Sequence, residues 1–190
     1  MKKLILASQS PRRKELMEKC GLHFTVEAAD IDETIDCTED LQEAVMRLAY
    51  GKAHAVLQQH PEAVVVGSDT IVVVDGEVLG KPKNEADAVS MLRKLSGRTH
   101  LVMTGLCIIS SAREYRNVSI SEVAFETMDE EEINSYVRTG EPMDKAGAYA
   151  VQGIAARYIK EIHGDYYAIM GLPLSMVYET LKDRTWYEED

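Results

Sequence analysis

The 190-residue chain has little of what marks several large classes of protein. It carries three cysteines, Cys20, Cys37 and Cys107, widely spaced and odd in number. With no CxxC pair and no disulfide framework, they fit a reducing cytosol. The start, MKKLILASQSPRRKEL, holds only a few apolar residues before charge returns. That is too few for a signal peptide and far too few for a membrane span, so the stretch reads as a first strand. With 21 basic residues against 32 acidic, the net charge is −11, and the basic footprint of a nucleic-acid binder is missing. A small phosphorylated substrate is not excluded, because it feels only local charge. Lys2, Lys3, Arg12, Arg13 and Lys14 stand near the start with no acid among them.

Familiar catalytic signatures are absent as well. There is no GxxxxGK[ST] phosphate loop and no GxGxxG after a strand. The histidines are scattered without HExxH spacing, which argues against zinc, and no G-x-S-x-G elbow suggests a serine hydrolase. No repeat, low-complexity run or linker divides the chain. Its length suits a single domain over 1–190 with room for two lobes, and 45% hydrophobic with 28% charged residues is ordinary for a soluble globular protein.

What is present is organised around residues 64–83, VVVGSDTIVVVDGEVLGKPK. The three opening valines read as a strand buried on both faces, and Gly67, Ser68, Asp69 and Thr70 interrupt the apolar run. The run resumes, turns at Asp75-Gly76 and closes with Lys81 and Lys83 on a stiff loop. Asp69 is thus expected where a buried strand breaks, with cations returning close by. That suits an anionic substrate with a metal; an aspartate satisfied by backbone N–H groups is the plainer alternative.

Before this stretch, 3–7 reads as a strand. Ser10 is an N-cap, Pro11 the first helical residue, and 12–20 a helix stopped by Gly21. Ser8, Ser10, Arg12 and Arg13 then lie at a strand–loop–helix junction whose free N–H groups and dipole attract anions. A capped helix with solvated arginines is the alternative. A second strand spans 23–28, followed by an acidic loop with Asp30, Asp32, Glu33 and Asp36. Oxygen donors suit Mg²⁺ or Mn²⁺, although a solvated acidic loop is the commoner outcome. A long helix over 40–59 carries Lys52 among small residues that let a backbone or ligand approach, although a surface lysine reads equally well.

Beyond it, Asn84 caps a helix to Leu95, strands cover 98–111 and 114–126 as an antiparallel pair, and an acid-started helix covers 127–137. Residues 139–153, TGEPMDKAGAYAVQG, are Gly- and Ala-rich and read as loops passing close to something. A strand over 158–162, a turn at 164–167, a helix over 172–181 with Pro173 in its first turn, and a frayed tail from Trp186 complete the reading. The polar inventory is carboxylates (Glu33, Asp69, Asp144) and cations (Arg12, Arg13, Lys52, Lys81, Lys145). It favours metal-assisted attack of water on a phosphoanhydride.

SQSPRRKEL at 8–16, GSDT at 67–70, GKPK at 80–83, SGRTH at 96–100 and DKAGAYAVQG at 144–153 together resemble the Maf family, in its order and over nearly the whole chain. The SPRR, DT and DKAGAYAVQG variants are similar to the subgroup that hydrolyses dTTP and UTP. Met17 stands where leucine is more usual, a volume-conserving change. The resemblance implies an α/β fold: an elongated mixed sheet with flanking helices and two lobes around a central cleft, similar to inosine triphosphate pyrophosphatases. It implies hydrolysis of a nucleoside triphosphate to monophosphate and pyrophosphate with a divalent cation, in the cytoplasm, with removal of non-standard nucleotides as one use, and a homodimer. By the same resemblance Asp69 is the proton acceptor, and Arg12, Thr70 and Gln152 select the base. Ser8, Arg13, Glu33, Lys52 and Lys81 are polar cleft positions: Ser8, Arg13, Lys52 and Lys81 are assigned to phosphate, Glu33 and Asp69 to metal. The family takes its name from inhibition of septum formation, so a regulator of division acting through nucleotide or protein binding is the second expectation.

Gln152 suits a base with a 4-keto group. Its amide donates and accepts at once, matching O4 and N3–H of uracil or thymine.

Overall fold

The structure is a computed structural model that describes residues 2–36 and 38–187; Cys37 and the last three residues of the expected tail lie outside the described residues. The strands are β1 (Leu4–Ala7), β2 (Thr25–Glu27), β3 (Val64–Val74), β4 (Glu77–Leu79), β5 (Thr99–Ile109), β6 (Glu114–Phe125) and β7 (Ile159–His163), with β3–β4 and β5–β6 consecutive and helices between the others. The hydrogen-bonded order is β2-β1-β3-β5-β6-β7, with β4 on β3. β1 runs parallel to β2 and β3, while β4 and β7 are antiparallel to β3 and β6, so the sheet is mixed, as expected for an α/β chain.

Two compact units share these elements: Met1–Asp69 with Thr104–Ser119 and Gly171–Asp190, and Thr70–Met103 with Ile120–Met170. In the first unit, Ser10 caps α1 (Pro11–Glu18): its hydroxyl accepts the Arg13 N–H and Pro11 enters at the first turn, the chemistry that the sequence predicts. The helix ends at Glu18, two residues before the expected end, and Gly21 follows with φ +67°. Asp40 caps α2 (Leu41–Gln59) by accepting from the N–H groups of Gln42 and Glu43.

The core here is made of small and branched side chains. Ala49, Ala53 and Val56 of α2 pack on Ile5, Ala7, Val65, Cys107 and Ile109. Helix and sheet approach closely because Gly67 and Gly105 face α2. A Cβ on Gly67 would lie 2.3 Å from the Ala49 carbonyl oxygen, and one on Gly105 would lie 2.4 Å from that of Val45. The unit closes with α6 (Leu174–Leu181), for which Pro173 is the cap rather than a first-turn residue. The expected fraying from Trp186 is corrected: a 3₁₀ turn (Arg184–Tyr187) buries Trp186 to 6% exposure. The Arg113 guanidinium stacks on its indole, 5.4 Å from the ring centroid, and pairs with Asp183.

In the second unit, β3 turns into β4 through Asp75 and Gly76, both with positive φ (51° and 78°), the signature of the hairpin turn that Asp-Gly predicts. Asn84 caps α3 (Glu85–Leu95), and Asp129 with Glu132 forms a capping box on α4 (Glu130–Val137). Residues 141–158 form three 3₁₀ turns. Where a turn is expected over 164–167, Tyr166 already opens a short helix, α5 (Tyr166–Met170).

The strand break expected at Gly67–Thr70 does not occur: β3 is continuous over eleven residues. Polar side chains interrupt an apolar pattern without interrupting extended backbone when they find partners inside the fold. Ser68 and Asp69 both do.

Candidate active site

The first unit gathers six of the expected site residues by placing α1, α2, β3 and the 31–36 loop together. Gly51 starts the arrangement. A Cβ there would lie 3.1 Å from Ile31 Cδ1, so the glycine lets the acidic loop lie against α2. Lys52, the next residue, is then flanked on one side by that loop and on the other by β3. Its Nζ donates to Asp69 Oδ1 at 2.6 Å and pairs with Glu33 Oε1 at 2.7 Å. The Lys52 and Asp69 side chains are 9% and 11% exposed, whereas Glu33 is 58% exposed. One ammonium therefore joins a buried carboxylate to a solvent-facing one.

Two other acids of the loop turn to local partners. Asp32 accepts from the N–H and hydroxyl of Thr34, which hold its carboxyl below the usual range, and Asp36 accepts likewise from Thr38. The loop divides into carboxylates that close turns and one, Glu33, that reaches the site. Among the described residues no group of three His, Cys, Asp or Glu side chains gathers as a metal cluster.

Asp69 and Glu33 both attract the Arg13 guanidinium, while burial and Arg12 oppose its charge; burial is the largest effect, and the balance lowers its pKa. Arg13 Nε donates to the Gly171 carbonyl at 2.7 Å, which fixes the plane of the fork. Ser68 Oγ lies 2.9 Å from that same carbonyl and 2.9 Å from Gly105 O, so β3 is tied to the segment that orients Arg13. Ser8 is buried at the end of β1, and its hydroxyl accepts the Ser10 N–H at 3.1 Å. Arg12 is half-buried in the first turn of α1.

Thr70, Lys81 and Gln152 belong to the second unit. Thr70 is half-buried on β3, and Lys81 and Gln152 are exposed in loops. Those two loops are joined by a bond from the Gly147 N–H to the Gly80 carbonyl, 3.1 Å. Gly147, at φ +68°, sits so close to Val72 that a Cβ would meet it at 2.9 Å, the close passage that the small residues predict. Asp144 pairs with Lys145. Nearby, the aromatic rings of His100, Phe125 and Tyr149 pack edge to face, with His100 Nε2 2.7 Å from the Tyr149 hydroxyl.

Sequence reasoning passes over Ser68 and Gly171, whose roles depend on contacts 37 to 158 residues away. It also passes over Glu141, a charged residue in a loop with no local pattern to single it out.

Comparison with known proteins adds three relatives and a family. The profile of a family described as Maf-like protein matches residues 3–184. A dTTP/UTP pyrophosphatase of Geobacillus sp. (strain WCH70) is 50% identical over 186 residues, covering 98% of this chain and all of the relative. One of Colwellia psychrerythraea is 50% identical, covering 94% of this chain and 85% of the relative. One of Bacillus mycoides is 47% identical, covering 96% and 95%.

Proposed function

The chain belongs to the Maf family, and on that premise we propose that it is a pyrophosphatase that hydrolyses dTTP and UTP to the nucleoside monophosphate and pyrophosphate. The observation that carries the reading is Lys52 bridging Asp69 and Glu33 beside Arg13. A buried carboxylate held at one oxygen by an ammonium is a positioned proton acceptor. Water attacks the α-phosphorus, the bond to the bridging oxygen breaks, pyrophosphate leaves, and the proton of the water passes to Asp69. Lys52 keeps that carboxylate oriented. Arg13 and Arg12, at the first turn of α1, supply charge-assisted donors to the phosphates, with Ser8 shaping the end of β1.

The donor set fits a divalent cation. Glu33 and Asp69 offer hard oxygens that already converge on one positive charge. When bound there, Mg²⁺ or Mn²⁺ would offset phosphate charge as a Lewis acid. For the base, Gln152 of the second unit donates to O4 and accepts from N3–H of uracil or thymine, and Thr70 of the same unit seats the nucleotide by its hydroxyl.

We place the reaction in the cytoplasm, in keeping with Cys20 and Cys107 as free buried thiols, and carried out by a pair of copies. No described helix is long and apolar enough to cross a membrane.

The test is turnover of UTP, dTTP, CTP, ATP and GTP with Mg²⁺ or Mn²⁺, with products identified. UTP and dTTP are expected to lead and to release pyrophosphate, and chelator is expected to abolish activity until metal is restored. Equal turnover of CTP or purines sinks the base assignment. Full activity in excess EDTA removes the metal. Tight binding without turnover turns the reading toward a nucleotide sensor, the form a role in septum formation would take.

A further inference from the structure

We infer that Glu141 is a positioning residue for base selection: its carboxylate holds the backbone just after Gln152 and so sets where the Gln152 amide meets the substrate. The inference rests on Gln152 reading the base. The 3₁₀ turn Ile154–Tyr158 begins immediately after Gly153, a residue with no side chain to cap it. Its leading N–H groups need acceptors from elsewhere. Glu141, thirteen residues upstream of Ile154, provides them: Oε2 accepts from Ile154 N–H at 3.0 Å and Oε1 from Ala155 N–H at 3.4 Å. The Tyr136 hydroxyl donates to Oε1 at 2.7 Å and locks the carboxylate from the other side. Burial, followed by Glu141 itself, raises the Tyr136 phenol, which keeps it a donor.

Gly153 makes this approach sterically feasible. A Cβ there would lie 2.4 Å from Glu141 Oε2 and 2.5 Å from Oε1 and Cδ, so any larger residue would displace the carboxylate from its donors. Upstream, the Gly153 N–H donates to the Ala150 carbonyl at 3.1 Å, and Tyr149 is buried against His100. Gln152 therefore stands on a short turn clamped at both ends while its own side chain is exposed. A flexible glutamine can flip its amide and match cytosine as well as uracil. A seat fixed on both sides limits the positions from which it can do so. Glu141 touches no reacting atom in this scheme; it acts through Gln152.

The experiment compares KM, kcat and the preference for UTP over CTP in Glu141→Gln, Tyr136→Phe, Gly153→Ala and Gln152→Ala, with melting temperatures alongside. Glutamine at 141 keeps one acceptor oxygen but turns an NH₂ toward an N–H. Glu141→Gln is expected to raise KM for UTP about tenfold, the scale of a lost hydrogen bond, with kcat within about twofold. The preference for UTP should fall by a similar factor. Gly153→Ala should act in the same direction, and Tyr136→Phe more weakly. Added to Gln152→Ala, the Glu141 change should lower the preference no further, because both act through one contact. If Gln152→Ala keeps the native preference, the base-reading role fails and this inference fails with it. If Gln152→Ala loses the preference while folded Glu141→Gln retains native KM and selectivity, the positioning role alone is overturned. Should Glu141→Gln not fold, Tyr136→Phe decides by the same criterion: unchanged selectivity overturns the role.

Discussion

Lys52 Nζ and Asp69 Oδ1 lie 2.6 Å apart, one on the second helix and the other within an unbroken strand, and both side chains are nearly withdrawn from water. The pair holds one oxygen of the Asp69 carboxylate in place. Asp69→Asn keeps the volume and removes the charge. It is expected to lower kcat by about 10²–10⁴-fold, the scale for loss of a general base. Turnover near the native value across pH 6–9 would make Asp69 purely structural.

Lys52→Met tests the other half of the pair. Breaking a buried ion pair from one side leaves an uncompensated charge and costs roughly 3 kcal/mol. In a chain of this size that is a fall of about 10 °C in Tm. Adding Asp69→Asn to Lys52→Met should restore part of the loss, since the stranded charge is then gone. Calorimetry of the two single variants and the double variant reads this directly; simple addition of the two losses would show that the pair is not energetically coupled.

Arg13 is oriented through Nε by the Gly171 carbonyl. Arg13→Lys keeps the charge but has neither the fork nor an Nε to hold it. Both Arg13→Ala and Arg13→Lys are expected to weaken UTP binding far more than UMP binding, with lysine recovering only part of the loss. Titration calorimetry with the two nucleotides checks it, and equal losses for both ligands would argue against a phosphate clamp.

His100 provides a stability prediction with a definite sign. It is 2% exposed, its Nδ1 has no partner among the described residues, and burial pushes its pKa down to about 4 from an ordinary 6.5. The folded state thus keeps the ring neutral where the unfolded chain protonates it. Above pH 6.5 no penalty exists. As pH falls from 6.5 toward 4 the unfolded chain gains the proton first and stability declines, by roughly 3 kcal/mol at the lower end. His100→Gln should flatten that part of the Tm–pH curve. An unchanged slope between pH 6.5 and 4.5 would mean that the buried ring does not drive it.

Much of the architecture was legible where local chemistry decides it. Ser10-Pro11, Asp40, Asn84 and Asp129 announce helix starts through their own side chains, and Asp75-Gly76 announces its hairpin. The residues gathered in the first unit were legible as types: an aspartate in a valine run, a lysine among alanines, an acidic loop. What they do to one another was not. Lys52 was assigned to phosphate on the sequence, yet its nearest partners in the fold are the two carboxylates assigned to metal. That exchange depends on how near a helix comes to a strand, which no residue spacing encodes. The continuity of β3 was hidden for the same reason, since Ser68 and Asp69 look like a break until Gly171, Gly105 and Lys52 supply their partners. Glu141 was invisible because the turn that it caps lies thirteen residues further along the chain.

Gly51, Gly67 and Gly105 bear on how loss of activity in this protein should be hunted. A lysine side chain has a fixed reach, so the distance between helix and strand determines whether its ammonium meets both acids or neither. Gly67 and Gly105 set that distance, and Gly51 sets how near the loop of Glu33 comes to the helix; none of the three carries a side chain. Displacing the helix by the thickness of a methyl group would withdraw the ammonium from Asp69 and Glu33 together, without altering one charged or polar atom. A survey of variants that scores only charged and polar residues would overlook these silent positions. An unbiased scan should instead find its sharpest losses alternating between the acids and bases of the site and the bare backbone that lets them touch.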